Sequence, residues 1–235
     1  MALHQQSPLQ ERLFNTTFVL LIQVPLMIVT ALLLAVALDA SFVRFKGLFR
    51  TALALPVSAN LVAYSTVFLL LVQETGLINY ALTALGFGPV PWLTSEFWSR
   101  MTLVGAVTWR WTGYNMIILL AGLQNIPQQL YEAAEIDGAN RFDKFRYVTV
   151  PQLRPVLLFT VVTSTIGMFK LFAEPAIINS GGAPLSSTIT IVQYIYQTAF
   201  IDFQLGYGSA LTYVLIGVVS VLSIVQIRVG GSDDA

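Results

Sequence analysis

The sequence predicts an all-α membrane protein with five transmembrane helices. Three observations carry that prediction. Of 235 residues, 56% are hydrophobic and only 10% are charged, against roughly 45–50% and about 25% in soluble domains. The mean hydropathy is +0.73. Five stretches approach the roughly 20 mostly apolar residues that a helix needs to cross a bilayer core. They lie near 14–38, 51–72, 101–123, 154–172 and 206–228. We read them as one membrane domain over residues 1–235.

The same composition excludes several classes of function. A soluble enzyme of this size could not hide so much apolar surface. Twelve basic residues balance twelve acidic ones, so nothing points to nucleic acid as a partner. There is no cysteine, which removes disulfides, thiolate nucleophiles and Cys-ligated metals. His4, the single histidine, makes neither a metal site nor a catalytic dyad, and reads as a solvated terminal residue.

The first stretch, 14–38, follows only Arg12 among basic residues and lacks a small-residue cleavage site. It reads as a retained span and not as a signal peptide. The second, 51–72, contains Ser58, Asn60 and Tyr64, and its Ala59 and Ala63 form a small-residue pair suited to close helix packing. Residues 73–98 hold several glycines and prolines with Trp92 and Trp98. Tryptophan favours the membrane interface, so part of this loop is expected to lie on the surface. The third stretch, 101–123, is interrupted by Arg110 among aromatics. Gly181, Gly182 and Pro184 mark a turn before the last stretch.

Basic residues set the orientation. Arg44, Lys46, Arg50, Arg141, Lys144, Arg146, Arg154 and Arg228 fall on one side of a five-span arrangement. That side is expected to be cytoplasmic, with the N-terminus outside and the C-terminus inside. The other side has fewer basic residues, Arg12, Arg100 and Lys170, against Glu11, Glu74, Glu96, Glu174 and Asp202.

The cytoplasmic segment 124–155 is too polar to span and too regular for an irregular loop. Pro127 suits a helix start, and good helix formers run on to Glu135. Gly138 supplies a break. A second short helix through Phe142, Phe145 and Val148 is expected to anchor on its aromatic residues, with Pro151 and Pro155 ending it. The physics is a helix–turn–helix.

A ligand pathway would lie near the bilayer midplane, lined by polar and aromatic side chains. The candidates are Asn60, Tyr64, Arg110, Trp111, Tyr114, Thr163, Gly167 and Lys170. Trp111 and Tyr114 are three apart and share a helix face. A flat aromatic ring suits the apolar face of a ring-shaped ligand. Thr163, Gly167 and Lys170 form one stripe, in which glycine leaves room for a ligand. Each has a plainer reading. Trp111 is a packing residue, Asn60 a helix–helix hydrogen bond, Arg110 an ion-pair partner for an acid of another subunit, and Lys170 a snorkelling cation.

The run Glu132, Ala133, Ala134, then three residues to Gly138, then nine more to Val148-Thr149-Val150-Pro151, resembles the EAA loop of ABC importer permeases. That pattern is EAA, three residues, G, nine residues, I-x-L-P, and both aliphatic positions are valine here. Asp137, Ala139, Arg154 and Pro155 resemble the sugar-transporting branch. So do Gly181-Gly182-Ala183-Pro184, Tyr194-Ile195-Tyr196 and Gly206-Tyr207-Gly208-Ser209-Ala210. The ending is similar to the maltose- and glycerol-phosphate-type first permease of a heterodimeric pair.

The resemblance implies a type I ABC importer permease core in a bacterial plasma membrane, multi-pass. It would be a subunit that performs no bond chemistry and has no cofactor of its own. Its partners would be a second permease, two cytoplasmic ATPase subunits and an external solute-binding protein, with membrane lipid around it and a sugar as substrate. The ATPases would bind ATP and magnesium; this sequence has no phosphate-binding loop of the type G-x-x-x-x-G-K-[ST]. Residues 124–151 would be the coupling loop. Glu132 would pair with a basic residue of the ATPase, beside Ala133, Ala134, Asp137 and Pro151, and Gly138 would allow the turn. Tyr114 and Thr163 fall on sugar-contacting positions of maltose-type permeases, while Gly167 and Lys170 stand where those have asparagines. Most relatives carry a further span before the position of residue 14, which bears on packing against the partner permease.

Three alternatives remain at this point. The importer could carry glycerol-phosphate or another polyol derivative, with Arg110 and Lys170 neutralising the phosphate. An ion-driven secondary transporter would call for intramembrane acids, whereas Asp39, Glu74 and Glu174 sit at span edges. A membrane scaffold would explain the spans alone.

Overall fold

Thirty-two residues, Pro8–Asp39, form one helix, α1, about 48 Å long at ~1.5 Å per residue. The structure, a computed structural model of the chain, describes residues 8–40, 43–180 and 185–231. Within these residues the regular structure is helical.

The second apolar stretch is not one helix. It divides into α2 (Lys46–Ser58) and α3 (Leu61–Val72) at Ala59 and Asn60. Pro56 in the last turn of α2 has no N–H to give. The Asn60 side chain then accepts from the N–H groups of Val62 and Ala63, at 3.0 and 3.2 Å, and so caps α3. An asparagine that bonds the next turn starts a new helix and does not continue the old one. Ala59 lies in the break and Ala63 is exposed, so the small-residue pair expected there does not share one face of a continuous helix.

The outer loop forms α4 (Leu77–Ala84) and a return strap fastened by one side chain. The Asn79 amide donates to the carbonyls of Glu74 and Val90 and accepts from Val90 N–H and Trp92 Nε1, all at 3.0–3.2 Å. Trp92 in turn meets Trp98 edge-on, with ring centroids 5.0 Å apart.

The centre of the fold is α5 (Glu96–Gln124), which packs along α1 and also against α2, α8 and α9. Ala31 and Ala35 of α1 are fully buried, against Met116, Leu119 and Leu120 of α5. Small residues permit this approach, which in lipid is driven by close packing. Gly113 allows a tighter contact still: a Cβ there would lie 1.7 Å from the Leu53 carbonyl oxygen of α2.

Among the described residues, four stretches are long and apolar enough to cross a membrane: Leu9–Asp39, Leu61–Ala84, Arg141–Phe169 and Leu205–Gly231. At 29 residues α5 has the length as well. Its polar groups lower its hydropathy, but they face the protein: Thr102, Arg110 and Asn115 are buried.

After α5 come α6 (Gln128–Ile136) and α7 (Arg141–Lys144), and α7 runs through a π turn, Phe145–Thr149, into α8 (Val150–Phe169). The prolines therefore do not end the second short helix. In the π turn Val150 N–H bonds the Phe145 carbonyl, which shifts the hydrogen-bond ladder just before Pro151, a residue with no N–H. The chain then forms α9 (Ala173–Ser180), α10 (Leu185–Thr188), α11 (Ile191–Tyr196), a second π turn and α12 (Leu205–Gly231). The turn expected at Gly181, Gly182 and Pro184 lies outside the described residues. α12 buries only Gly208 and Leu211 and is tied to α8 by Gln226 Nε2 donating to Thr165 Oγ1 at 2.9 Å.

Candidate functional site

A cavity of about 570 Å³ opens between the helices. α1 supplies Gln23 and Met27, α3 supplies Leu61 from its first turn, and α5 supplies Val107, Trp111, Tyr114 and Asn115. α8 gives Thr163, Ser164, Gly167 and Met168, and the chain from Lys170 to Glu174 closes the ring. The break before Leu61 places a helix start on the cavity wall, an arrangement seen where transporters bind ligands at discontinuous helices.

The aromatic side of the cavity is the Trp111 and Tyr114 pair. Their rings stand edge-on, 5.9 Å apart at 83°, and both are partly open. Gly167 leaves its part of the wall clear, since a Cβ there would meet nothing within 4 Å.

The polar side is organised by hydrogen bonds that use up donors. Gln23 Nε2 and Asn115 Nδ2 both donate to Met27 Sδ, at 3.4 and 3.3 Å. Asn115 Nδ2 also donates to the Trp111 carbonyl at 2.9 Å. Gln23 is 1% exposed, and its Oε1 has no hydrogen-bond partner among the described residues. The Thr163 hydroxyl gives its proton to the carbonyls of Phe159 and Thr160, leaving lone pairs outward. Glu174 is 4% exposed. Burial pushes its carboxyl above the ordinary carboxylate range, and its own backbone N–H and the Arg110 charge draw it part of the way back.

Of the residues expected along the pathway, Trp111, Tyr114, Thr163, Gly167 and Lys170 line the cavity. Asn60, Tyr64 and Arg110 do not. They gather instead at the break between α2 and α3. Arg110 Nη2 donates to the carbonyls of Val57 and Ala59, at 3.3 and 3.2 Å, which the broken helix leaves without partners. The guanidinium sits over the Tyr64 ring, 4.8 Å from its centroid, and Tyr64 stacks on Trp109.

Gln23 and Glu174 were not among the sequence candidates. Gln23 was visible as the polar residue deep in an apolar stretch, where such side chains face a cavity or the protein interior. Glu174 reads as an edge acid because it follows the last predicted span. It reaches the cavity because α8 stops at Phe169 and α9 packs back on α3 and α5.

The polar loop is open to its surroundings. α6 buries none of its nine residues. Gly138 turns the chain with φ +81°, in the left-handed region that glycine adopts at least cost. Asn140 and Asp143 form a capping box at α7. Lys144 pairs with Glu135 across the turn, and Tyr131 Oη and Thr149 Oγ1 hydrogen-bond at 2.9 Å. Phe142, expected as an anchor, is 65% exposed. These polar ties hold the two helices together in its place. Ile136 and Tyr147 are also exposed. Glu132, Ala133, Asp137 and Pro151 are exposed, and Ala134 is half-buried.

Residues 1–229 match the family described as binding-protein-dependent transport system inner membrane component. The chain belongs to this family. The permease is 44% identical over 220 residues to the lactose transport system permease protein LacF of Rhizobium radiobacter, covering 92% of the chain and 74% of that protein. It is 38% identical over 218 residues to the arabinooligosaccharides transport system permease protein AraP of Bacillus subtilis strain 168, covering 92% and 68%. In the crystal structure of a bacterial alginate ABC transporter in complex with an alginate pentasaccharide-bound periplasmic protein, one chain superposes with a TM-score of 0.84 at 20% identity. That match covers 95% of the permease and 79% of the other chain, and shows likeness of fold. The permease is thus a multi-pass component of the inner membrane, and the ion-driven and scaffold alternatives fall away.

Proposed function

We propose that this permease carries a sugar across the membrane through the cavity between α1, α3, α5 and α8, and performs no bond chemistry itself. The observation that carries the reading is the pairing of an aromatic edge, Trp111 and Tyr114, with a wall of amide and hydroxyl groups. Aromatic faces take the apolar face of a sugar ring, and polar groups in small number fix orientation. Relatives named for lactose and arabino-oligosaccharides support the same class. We assign to its assembly a second permease, two ATPase subunits that hold ATP and magnesium, and an external solute-binding protein.

The loop 124–151 couples ATP hydrolysis to the spans. Glu132, Ala133, Ala134, Asp137 and Gly138 face the ATPase, and Pro151 sits where the loop helix runs on into α8. Two features support this. α6 buries nothing within the chain, and α7 joins α8 without a break, so a push on the loop reaches the cavity wall along one rod. The phosphate alternative is weakened because Arg110 is engaged at the helix break and leaves Lys170 as the only basic residue lining the cavity among the described residues.

The test is uptake of labelled lactose and arabino-oligosaccharides into vesicles containing the whole complex with its binding protein. ATP-dependent uptake of at least one neutral sugar is the expected result. Uptake confined to phosphorylated polyols would overturn the reading.

A further inference from the structure

Three polar side chains that line the cavity, Gln23, Asn115 and Glu174, are buried. Gln23 and Asn115 spend their amide nitrogens on Met27 Sδ, and the Gln23 Oε1 is buried without a partner among the described residues. Thr163 spends its proton on backbone carbonyls. Glu174 adds a carboxylate that is almost fully buried. The charged residues of the lining are Glu174 and Lys170, and of these Lys170 is exposed while Glu174 is not.

We infer that Gln23 and Glu174 determine specificity: they form an acceptor wall that takes uncharged, hydroxyl-rich ligands and turns away carboxylated or phosphorylated ones. The inference rests on the carbohydrate reading and sharpens it. A buried acceptor must find a donor or lose the hydrogen bonds that water gave it. Neutral sugars bring several O–H donors in a small volume and satisfy Gln23 Oε1 and Glu174 together. A carboxylate or phosphate brings only acceptors and a negative charge. Beside Glu174 that charge is repelled in a site of low dielectric. Arg110, whose charge reaches Glu174, does not itself line the cavity and is held by the carbonyls of Val57 and Ala59 and by the Tyr64 ring. Selection by like-charge repulsion is a means of rejecting wrong ligands that does not require tighter contacts to the right one.

The experiment uses the assembled complex in lipid nanodiscs without binding protein, so that the permease's own preference is read. Labelled lactose is competed with unlabelled lactose and with the analogue whose primary hydroxyl is oxidised to a carboxylate. The wild type should bind the carboxylate form at least about tenfold more weakly. In Glu174→Gln the ratio between the two should close toward unity, whatever happens to the absolute affinities. In Gln23→Glu it should widen. If Glu174→Gln fails to assemble, the wild-type ratio and the opposite shift in Gln23→Glu still decide. Equal binding of the two sugars by the wild type, or a ratio indifferent to both substitutions, overturns this inference alone. Binding of neither sugar by a complex that hydrolyses ATP overturns the carbohydrate reading and this inference with it.

Discussion

α6 buries none of its nine residues, whereas α5 buries one of its two arginines, Arg110, and an asparagine. The loop and the cavity wall thus use opposite materials for opposite tasks. The loop presents side chains to another subunit and holds its own shape with a few polar ties: a capping box, the Lys144 to Glu135 pair and the Tyr131 to Thr149 hydrogen bond. The cavity wall is held by backbone approach and by the buried amides of Gln23 and Asn115, whose N–H groups have fixed acceptors. Damage to the first should leave a folded subunit that cannot be driven. Damage to the second should alter folding or binding and leave the loop intact.

The largest expected effect is at Gly113. A methyl group there overlaps the Leu53 carbonyl, and a backbone atom cannot move aside as a side-chain tip can. Gly113→Val should abolish stable insertion, read as loss of folded permease on detergent extraction. Normal yield and melting temperature would show that α2 and α5 separate easily. Next is Arg110→Met. It leaves the carbonyls of Val57 and Ala59 without their donor in a low-dielectric setting, at about 1–3 kcal/mol each. The expected result is a lower melting temperature of the complex with the lactose affinity changed less than in cavity variants. A selective loss of sugar binding at full stability would move Arg110 into the site.

How much of this was legible follows from where the partners lie in the chain. The loop spacing from Glu132 to Pro151 is local, so it stands in the sequence as a pattern. The structure forms two short helices, α6 and α7, on either side of the turn at Gly138, and α7 runs on into α8. The break at Ala59 and Asn60 was hidden because 51–72 is apolar enough on average to read as one span, although Pro56 and Asn60 are the residues that cause it. Gly113 gave no sign, because its importance comes from Leu53 on another helix. Arg110 looked like a ligand contact for the same reason: its partners are carbonyls, which sequence does not display. Glu174 was set aside as an edge acid because the fold-back of α9 is a tertiary event.

Smaller effects sharpen the comparison. Gly138→Val forces a β-branched residue to φ +81°, which costs about 1–2 kcal/mol, though the space around the Cβ is open. Transport should fall sharply while assembly and sugar binding persist. Gly138→Asn should recover much of the transport, because asparagine tolerates this conformation. Equal loss in both variants would point to a steric and not a conformational requirement. Gly167→Leu fills open space in the cavity wall. Uptake of an arabino-oligosaccharide should fail before uptake of a disaccharide, with stability unchanged. Loss of both to the same degree would argue against a size limit at this position.

The most direct test of the division between loop and cavity measures two quantities on two variants of one complex: equilibrium binding of labelled lactose, and ATPase activity stimulated by the loaded binding protein. Tyr114→Ala should lose about tenfold or more in binding, from loss of a ring and a hydroxyl in the site, while the stimulated ATPase activity remains. Gly138→Val should bind lactose as the wild type does and lose the stimulation. If Tyr114→Ala binds normally, or if both variants lose the same quantity, the cavity and the loop are not the separate devices described here.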